Sequence, residues 1–205
     1  MALWHMHTTT ISLAIYLDHH NAASDRYVRQ PDGTMRLWVG KRSAAKSTWP
    51  GKLDHLVAGG QVRGCSSPRG LPRQMSQPVG ISCADNVVKE CFEEAGVPES
   101  LARTARPVSI VGCEQMQPLG LKRDVLFVYD LELPASFQPV PQDGEVSEFM
   151  LLPVEEVLER IASTDDFKPN VELVVLDFCV RHGYLSPDQP GYATLLAGLR
   201  TGDVC

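Results

Sequence analysis

The stretch Cys83 to Ala95, stopped by Gly96, restricts the fold of this chain more than any other segment. It carries a helical apolar period and ends on a glycine, the residue that a left-handed helix cap favours. On a wheel stepping about 100° per residue, Ala84, Val87, Val88, Cys91 and Ala95 gather on one face that is expected to bury. Glu90, Glu93 and Glu94 gather on a different side, at spacing i, i+3, i+4. Like charges so placed repel by a few tenths of a kcal/mol per pair. They either decorate a solvated face or converge on a cation. Leu56 to Gly60 reads as a short buried strand ending on two glycines, which sets the acidic trio beside a Gly-rich loop. Converging carboxylate oxygens suit Mg²⁺ or Mn²⁺ and can hold such an ion against a diphosphate.

Around this helix the pattern alternates between strand and helix without regular βαβ order. Thr8 to Leu17 reads as a strand, Asp18 to Gly33 as a polar segment ending in a turn, and Met35 to Gly40 as the strand's hairpin partner. Lys41 to Lys52 is a basic loop, and Val62 to Gly80, with three prolines, is a second loop. Val108 to Gln115, Leu121 to Leu133 and Ser147 to Leu152 are expected strands. Pro153 to Ala162, Val171 to His182 and Tyr192 to Leu199 are expected helices. The order implies an α+β fold or an α/β/α sandwich rather than a doubly wound sheet. With no repeat or linker, residues 1–205 are expected to form one domain.

The net charge of -6 argues against a broad basic face for nucleic acid but leaves room for a small phosphate ligand whose charge a metal neutralises. Six scattered cysteines without a C-x-x-C pair imply free thiols in a reducing compartment. No apolar run approaches the roughly 18 to 20 residues that span a bilayer. The N-terminus reads as neither a secretory signal nor an Arg-rich transit peptide. A cytoplasmic monomer or homodimer is expected, with a plastid as the alternative if a leader is missing.

The run Lys89-Glu90-Cys91-Phe92-Glu93-Glu94-Ala95-Gly96-Val97 resembles the second half of the Nudix box, G-x5-E-x7-R-E-U-x-E-E-x-G-U with U apolar. WPGKLD-LVAGG, KRDVLFVYDLELP, QDGEVSEF and the late PGY are similar to the Nudix subgroup related to thiamine pyrophosphokinase-like proteins, over roughly Met35 to Cys205. The resemblance implies a Nudix α/β/α sandwich with a central mixed sheet. It implies hydrolysis of a small organic diphosphate to a monophosphate and phosphate, the substrate being a damaged thiamine diphosphate such as the oxo or oxy form. An 8-oxo-dGDP or other nucleoside diphosphate is the alternative. Relatives of this kind carry a further N-terminal domain, which this sequence is expected to lack. An isopentenyl-diphosphate-type isomerase lacks a supporting Cys/Glu pair, while a catalytically silent binding module stays open.

By the same resemblance, Glu90 and Glu94 are expected to ligate Mg²⁺ or Mn²⁺. Glu93 is expected to ligate the ion or orient the attacking water, and Lys89 to fill the place of the box arginine as a less rigid point charge. Glu145 resembles the downstream glutamate that many Nudix enzymes add as ligand or base. Lys41, Arg42, Lys122 and Arg123 are candidates for the phosphate tail. Trp49 either stacks on a heterocycle or packs in the core. His55 and the histidines at 5, 7, 19 and 20 receive no role.

Two positions depart from the box. Ile81 stands where a glutamate is expected, and Met75 stands where the leading glycine belongs. The glycine that fits is Gly59, so residues 65–80 read as a sixteen-residue insertion whose removal restores a box of normal length. It is either a tolerated surface loop, since loop lengthening costs little entropy, or an error of the gene model. Sequencing the transcript decides between them: a message without these codons establishes the error, and one containing them establishes the loop.

Overall fold

The structure is a computed structural model describing residues 17–61, 81–117 and 120–200, leaving aside the side chains of 17–24, 61, 117, 120–121 and 123. In chain order the described elements are β1 (Leu17–Arg29), β2 (Met35–Arg42), β3 (Leu53–His55), β4 (Val57–Gln61), α1 (Cys83–Ala95) and α2 (Glu99–Ala102). They continue as β5 (Arg106–Gln117), β6 (Gly120–Glu132), β7 (Val146–Pro153), α3 (Val154–Ser163), α4 (Pro169–Arg181) and α5 (Tyr192–Gly198). The sheet runs β3-β2-β1-β6-β5, with β4 also on β1 and β7 on β2. β1 and β6 pair in parallel from Leu17↔Lys122 to Tyr27↔Glu132, and the other pairings are antiparallel. The sheet is therefore mixed, as expected, and is not closed.

One expectation is corrected. The polar stretch from Asp18 is not a loop up to Gly33 but most of β1, and its hairpin with β2 is in the register Tyr27↔Leu37. The turn sits at 30–34, where Gly33 has φ 87° and Gln30 N–H donates to Thr34 O at 2.8 Å. β1 is central, bonded to β6 along one edge and to β4 and then β2 along the other, so its backbone groups are satisfied whatever its side chains. Its buried Asp25 and Arg26 are polar because they reach partners in both layers. The strand expected from Thr8, the loop from Val62 and the 65–80 insertion lie outside the described residues, apart from Leu17 itself.

Alternation sorts the core into two faces. Val28, Trp38, Tyr129 and Leu131 pack with Val87, Cys91 and Ala95 of α1. Tyr27, Leu37 and Val39 turn the other way, onto Val154 and Val157 of α3 and Val171, Val175 and Phe178 of α4. Val111, Leu126 and Val128 extend that second layer against Val174 and Leu199. Helices thus cover both faces. Among the described residues no helix is long and apolar enough to cross a membrane.

Charges tie α4 to the sheet. Arg181 grips Asp130 of β6 with two nitrogens, Nη1 at 2.6 Å and Nη2 at 3.0 Å, and donates from Nε to Asp177 at 2.7 Å. Arg200 joins Asp177 at 2.6 Å, and His182 Nε2 lies 2.9 Å from Asp130. Burial works to raise the Asp130 pKa, but the His182 and Arg181 contacts outweigh it and hold the carboxyl below its usual value. Such a group stabilises the fold above its unfolded pKa, about 3.9, and the contribution fades as pH falls through the lower folded value. Asp130→Asn is therefore expected to cost about 2 kcal/mol at pH 7. Urea unfolding of both proteins should show that gap closing as pH falls below the unfolded carboxylate value.

Candidate functional site

The site begins where α1 lies against β4. Ser82 caps the helix, its Oγ accepting from Asp85 N–H at 3.1 Å and donating to Asp85 Oδ2 at 2.7 Å. At the other end Gly96 takes φ 65°, and Val97 N–H donates back to Cys91 O at 3.0 Å. Between the caps, Asn86 Nδ2 donates to Gly60 O at 3.1 Å and Ala58 N–H donates to Glu94 Oε2 at 3.3 Å. A Cβ at Gly59 would stand 2.3 Å from Glu90 Cγ, so only glycine permits this approach. Beneath the helix, buried Arg26 donates to Val57 O at 3.2 Å and to Cys91 Sγ at 2.8 Å. The buried face differs from the expected one at two positions: Ala84 is exposed and Asn86 is fully buried. The strand carbonyl at Gly60 supplies the partner that lets an amide replace an apolar side chain there.

The loop after β6 completes the arrangement. Val140 N–H donates to Ala95 O at 3.1 Å and Gln142 N–H to Glu94 O at 3.3 Å, fastening the loop to the C-terminal turn of α1. Gly144 at φ 77° reverses the chain, and Asp143 Oδ1 accepts from Glu145 N–H at 2.8 Å. Oxygens of Glu94, Asp143 and Glu145 consequently lie within 4.8 Å of one another. Burial, then the charges of Glu90 and Asp54, push the Glu94 carboxyl well above its ordinary pKa. Glu90 is also raised, by burial that outweighs the pull of Lys89. Several oxygens gathered in negative potential, with hard donors only, form a set suited to a divalent cation of the Mg²⁺ type.

The other residues singled out by sequence fall in several places. Lys89 stands 3.4 Å from Glu90 Oε1 and pairs more closely with Glu93, which is half exposed and turned to that lysine. Lys41 pairs with Glu148 at 3.3 Å on the β2–β7 edge. Arg42 donates to Asp54 at 2.8 Å and to the carbonyls of Thr48 and Trp49, so its guanidinium braces the loop it opens. Trp49 is 40% exposed with φ 52°, which excludes the core-packing alternative. Lys122 pairs with Asp124 at 2.7 Å. The Arg123 side chain lies outside the described residues.

Three contributors were missed by sequence reasoning. Asp143 stands two residues before Glu145 in the same Asp-Gly-Glu turn, and the Asx-turn preference of aspartate was the available signal. Lys46, from the basic loop, places Nζ 2.5 Å from Glu145 Oε2. Buried Asp54 holds both Arg42 and Lys168, the latter at 3.1 Å. Burial favours its neutral form, but Lys168, His55 and Arg42 prevail and keep its pKa low. Nothing in the local pattern marks Asp54 or Lys168, which are 114 residues apart.

No family model matches the chain. It is 46% identical over 188 residues to Nudix hydrolase 24, chloroplastic, of Arabidopsis thaliana, covering 92% of this chain and 46% of that protein. It is 48% identical over 172 residues to Nudix hydrolase 20, chloroplastic, of the same plant, covering 84% of this chain and 42% of that protein. The chain thus spans about half the length of the curated relatives it matches. Among solved structures, a Nudix hydrolase from Alicyclobacillus acidocaldarius superposes with a TM-score of 0.56 at 12% identity, over 80% of this chain and 91% of that one. That likeness establishes the fold.

The close approach at Gly59 gives a direct test. Gly59→Ala drives a methyl into the Glu90 stem and the Asn86 amide, and should lower stability by about 1–3 kcal/mol in urea unfolding. Gly51→Ala, in a turn where a Cβ meets nothing within 4 Å, should show none of that crowding and only the strain of its positive φ.

Proposed function

We propose that the chain is a Nudix hydrolase, a reading supported by its likeness to the two plant relatives, and that it hydrolyses the diphosphate bond of a small organic diphosphate. The observation that carries the proposal is the gathering of Glu94, Asp143 and Glu145 oxygens within 4.8 Å, beside Glu90 on the same helix. This donor set fits Mg²⁺ or Mn²⁺, and Glu90, Glu94, Asp143 and Glu145 are the residues we assign to hold the ion. Such an ion, when bound, neutralises diphosphate charge and lowers the pKa of a bound water.

The remaining groups have assigned roles. Ala58 N–H fixes the Glu94 carboxylate, and the packing against Gly59 fixes Glu90. Lys89 restrains Glu93, which orients the attacking water and takes its proton at a carboxylate oxygen. The water oxygen bonds to the terminal phosphorus as the bridging P–O bond breaks. Phosphate and the organic monophosphate leave. Lys41, Arg42 and Arg123 are retained as candidates for the phosphate tail, and exposed Trp49 as a stacking surface for a flat ring.

For the substrate we place a damaged thiamine diphosphate first, supported by the segments WPGKLD-LVAGG, KRDVLFVYDLELP and QDGEVSEF, with 8-oxo-dGDP second. The names of the two plant relatives support a plastid location over the cytoplasm. Phosphate release from oxythiamine diphosphate, thiamine diphosphate and 8-oxo-dGDP, and AMP release from ADP-ribose, each with Mg²⁺ and with chelator, ranks these substrates. Glu94→Gln should abolish turnover, by about a hundredfold or more, with the circular-dichroism spectrum unchanged. Near-normal activity in that variant would overturn the assignment. Binding of these ligands by the unmodified chain without any turnover would establish a silent binding module instead.

A further inference from the structure

We propose that Lys46 is a built-in counter-ion of the carboxylate group, displaced by the divalent cation and then used to hold the terminal phosphate of the substrate. The proposal rests on the reading of Glu94, Asp143 and Glu145 as a cation site. Three carboxylates with oxygens within 4.8 Å are costly to bring together unless positive charge stands among them. The Lys46 ammonium supplies it, 2.5 Å from Glu145 Oε2. A metal ion at the Glu145 carboxylate would repel an ammonium on the same oxygen, so the two would compete for it.

The lysine is mounted so that only its side chain need move. Ser43 N–H donates to Glu145 O at 2.8 Å, and Lys46 N–H donates to Ser43 O at 3.1 Å. The lysine backbone is thereby tied to the residue its ammonium contacts. At the far end of the loop, Arg42 holds the Thr48 and Trp49 carbonyls at 2.8 Å and 3.1 Å while bonding Asp54. Four methylenes let the ammonium swing by several ångström from this fixed root, and its side chain is a quarter exposed, so its open flank faces solvent. Three other basic residues of this segment pair with carboxylates outside the trio: Lys41 with Glu148, Arg42 with Asp54, and Lys52 with Asp165. A diphosphate held at such an ion would carry anionic oxygens for which the displaced ammonium could serve as donor. Transfer from carboxylate to phosphate keeps the charge of Lys46 compensated throughout.

The test uses the full chain, with Mn²⁺ as the metal probe and methylenediphosphonate as a diphosphate that resists hydrolysis. Mn²⁺ affinity is read by the EPR signal of the free ion, and methylenediphosphonate affinity by calorimetry at saturating Mn²⁺. In Lys46→Met, Mn²⁺ should bind about fivefold more tightly, because its competitor is gone. Methylenediphosphonate should bind about tenfold more weakly, and Lys46→Arg should restore much of that binding. Lys52→Met removes the same charge from the same loop and should leave Mn²⁺ affinity unchanged. Unaltered or weaker Mn²⁺ binding in Lys46→Met would overturn the proposal, as would unaltered methylenediphosphonate binding or an equal shift in Lys52→Met. A wild-type chain that binds no Mn²⁺ would overturn the cation site itself, and so both readings together.

Discussion

The seam between α1 and β4 is the contact on which the rest of the site is built. It has no side chain at Gly59, an amide at Asn86 bonded to a strand carbonyl, and a strand N–H turned onto Glu94. Under it Arg26, 1% exposed, bonds a β4 carbonyl and the Cys91 sulfur. A buried guanidinium is unfavourable unless its donors are engaged, so the helix and strand are held at the separation that engages them. Helix position sets the carboxylate positions. The later loop then bonds to the last turn of α1 and, through the Ser43 N–H to Glu145 O bond, to the end of β2, so Asp143 and Glu145 take their places between helix and sheet.

The opposite layer shows a different economy. Asp25, Asp130 and Asp177 approach one another where β1, β6 and α4 meet, and Arg181 contacts all three. Burial, followed by the repulsion of Asp130, pushes Asp25 well above its ordinary pKa, while Asp130 is held low by His182 and Arg181. Neighbouring carboxylates thus take opposite protonation tendencies. The layer distant from the carboxylate site is pinned by charge, and the layer beside it by close backbone approach.

How much of this was legible follows from the range of the interactions involved. α1 was readable because its signals are local: an apolar period, an acidic trio and a terminal glycine lie within fifteen residues and match Cys83–Ala95. Strands β5 to β7 were readable for the same reason, with ends that differ by a few residues. β1 was not, because its polar residues are stabilised by partners as distant as Cys91 and Arg181. Glu90 and Glu94 were found through their spacing, and Glu145 through a resemblance. Lys46 escaped because its significance depends on a loop 99 residues later, reached through the Ser43 N–H to Glu145 O bond. The acidic helix face alone left a solvated surface and a cation site both open, and placing Asp143 beside it required the turn to be built.

One consequence concerns the connection between the two halves of the seam. β4 ends at Gln61 and α1 begins at Cys83, and the seam contacts described here are made by residues on either side of that interval. None of those contacts needs the connection to have a particular length. This makes the interval a natural place to open the chain. A circular permutant with new ends there, or two fragments meeting at Gly59 and Glu90, would reassemble the carboxylate-bearing face from its own complementary surfaces. The same independence lets evolution exchange the connecting segment without resetting the contacts of the seam.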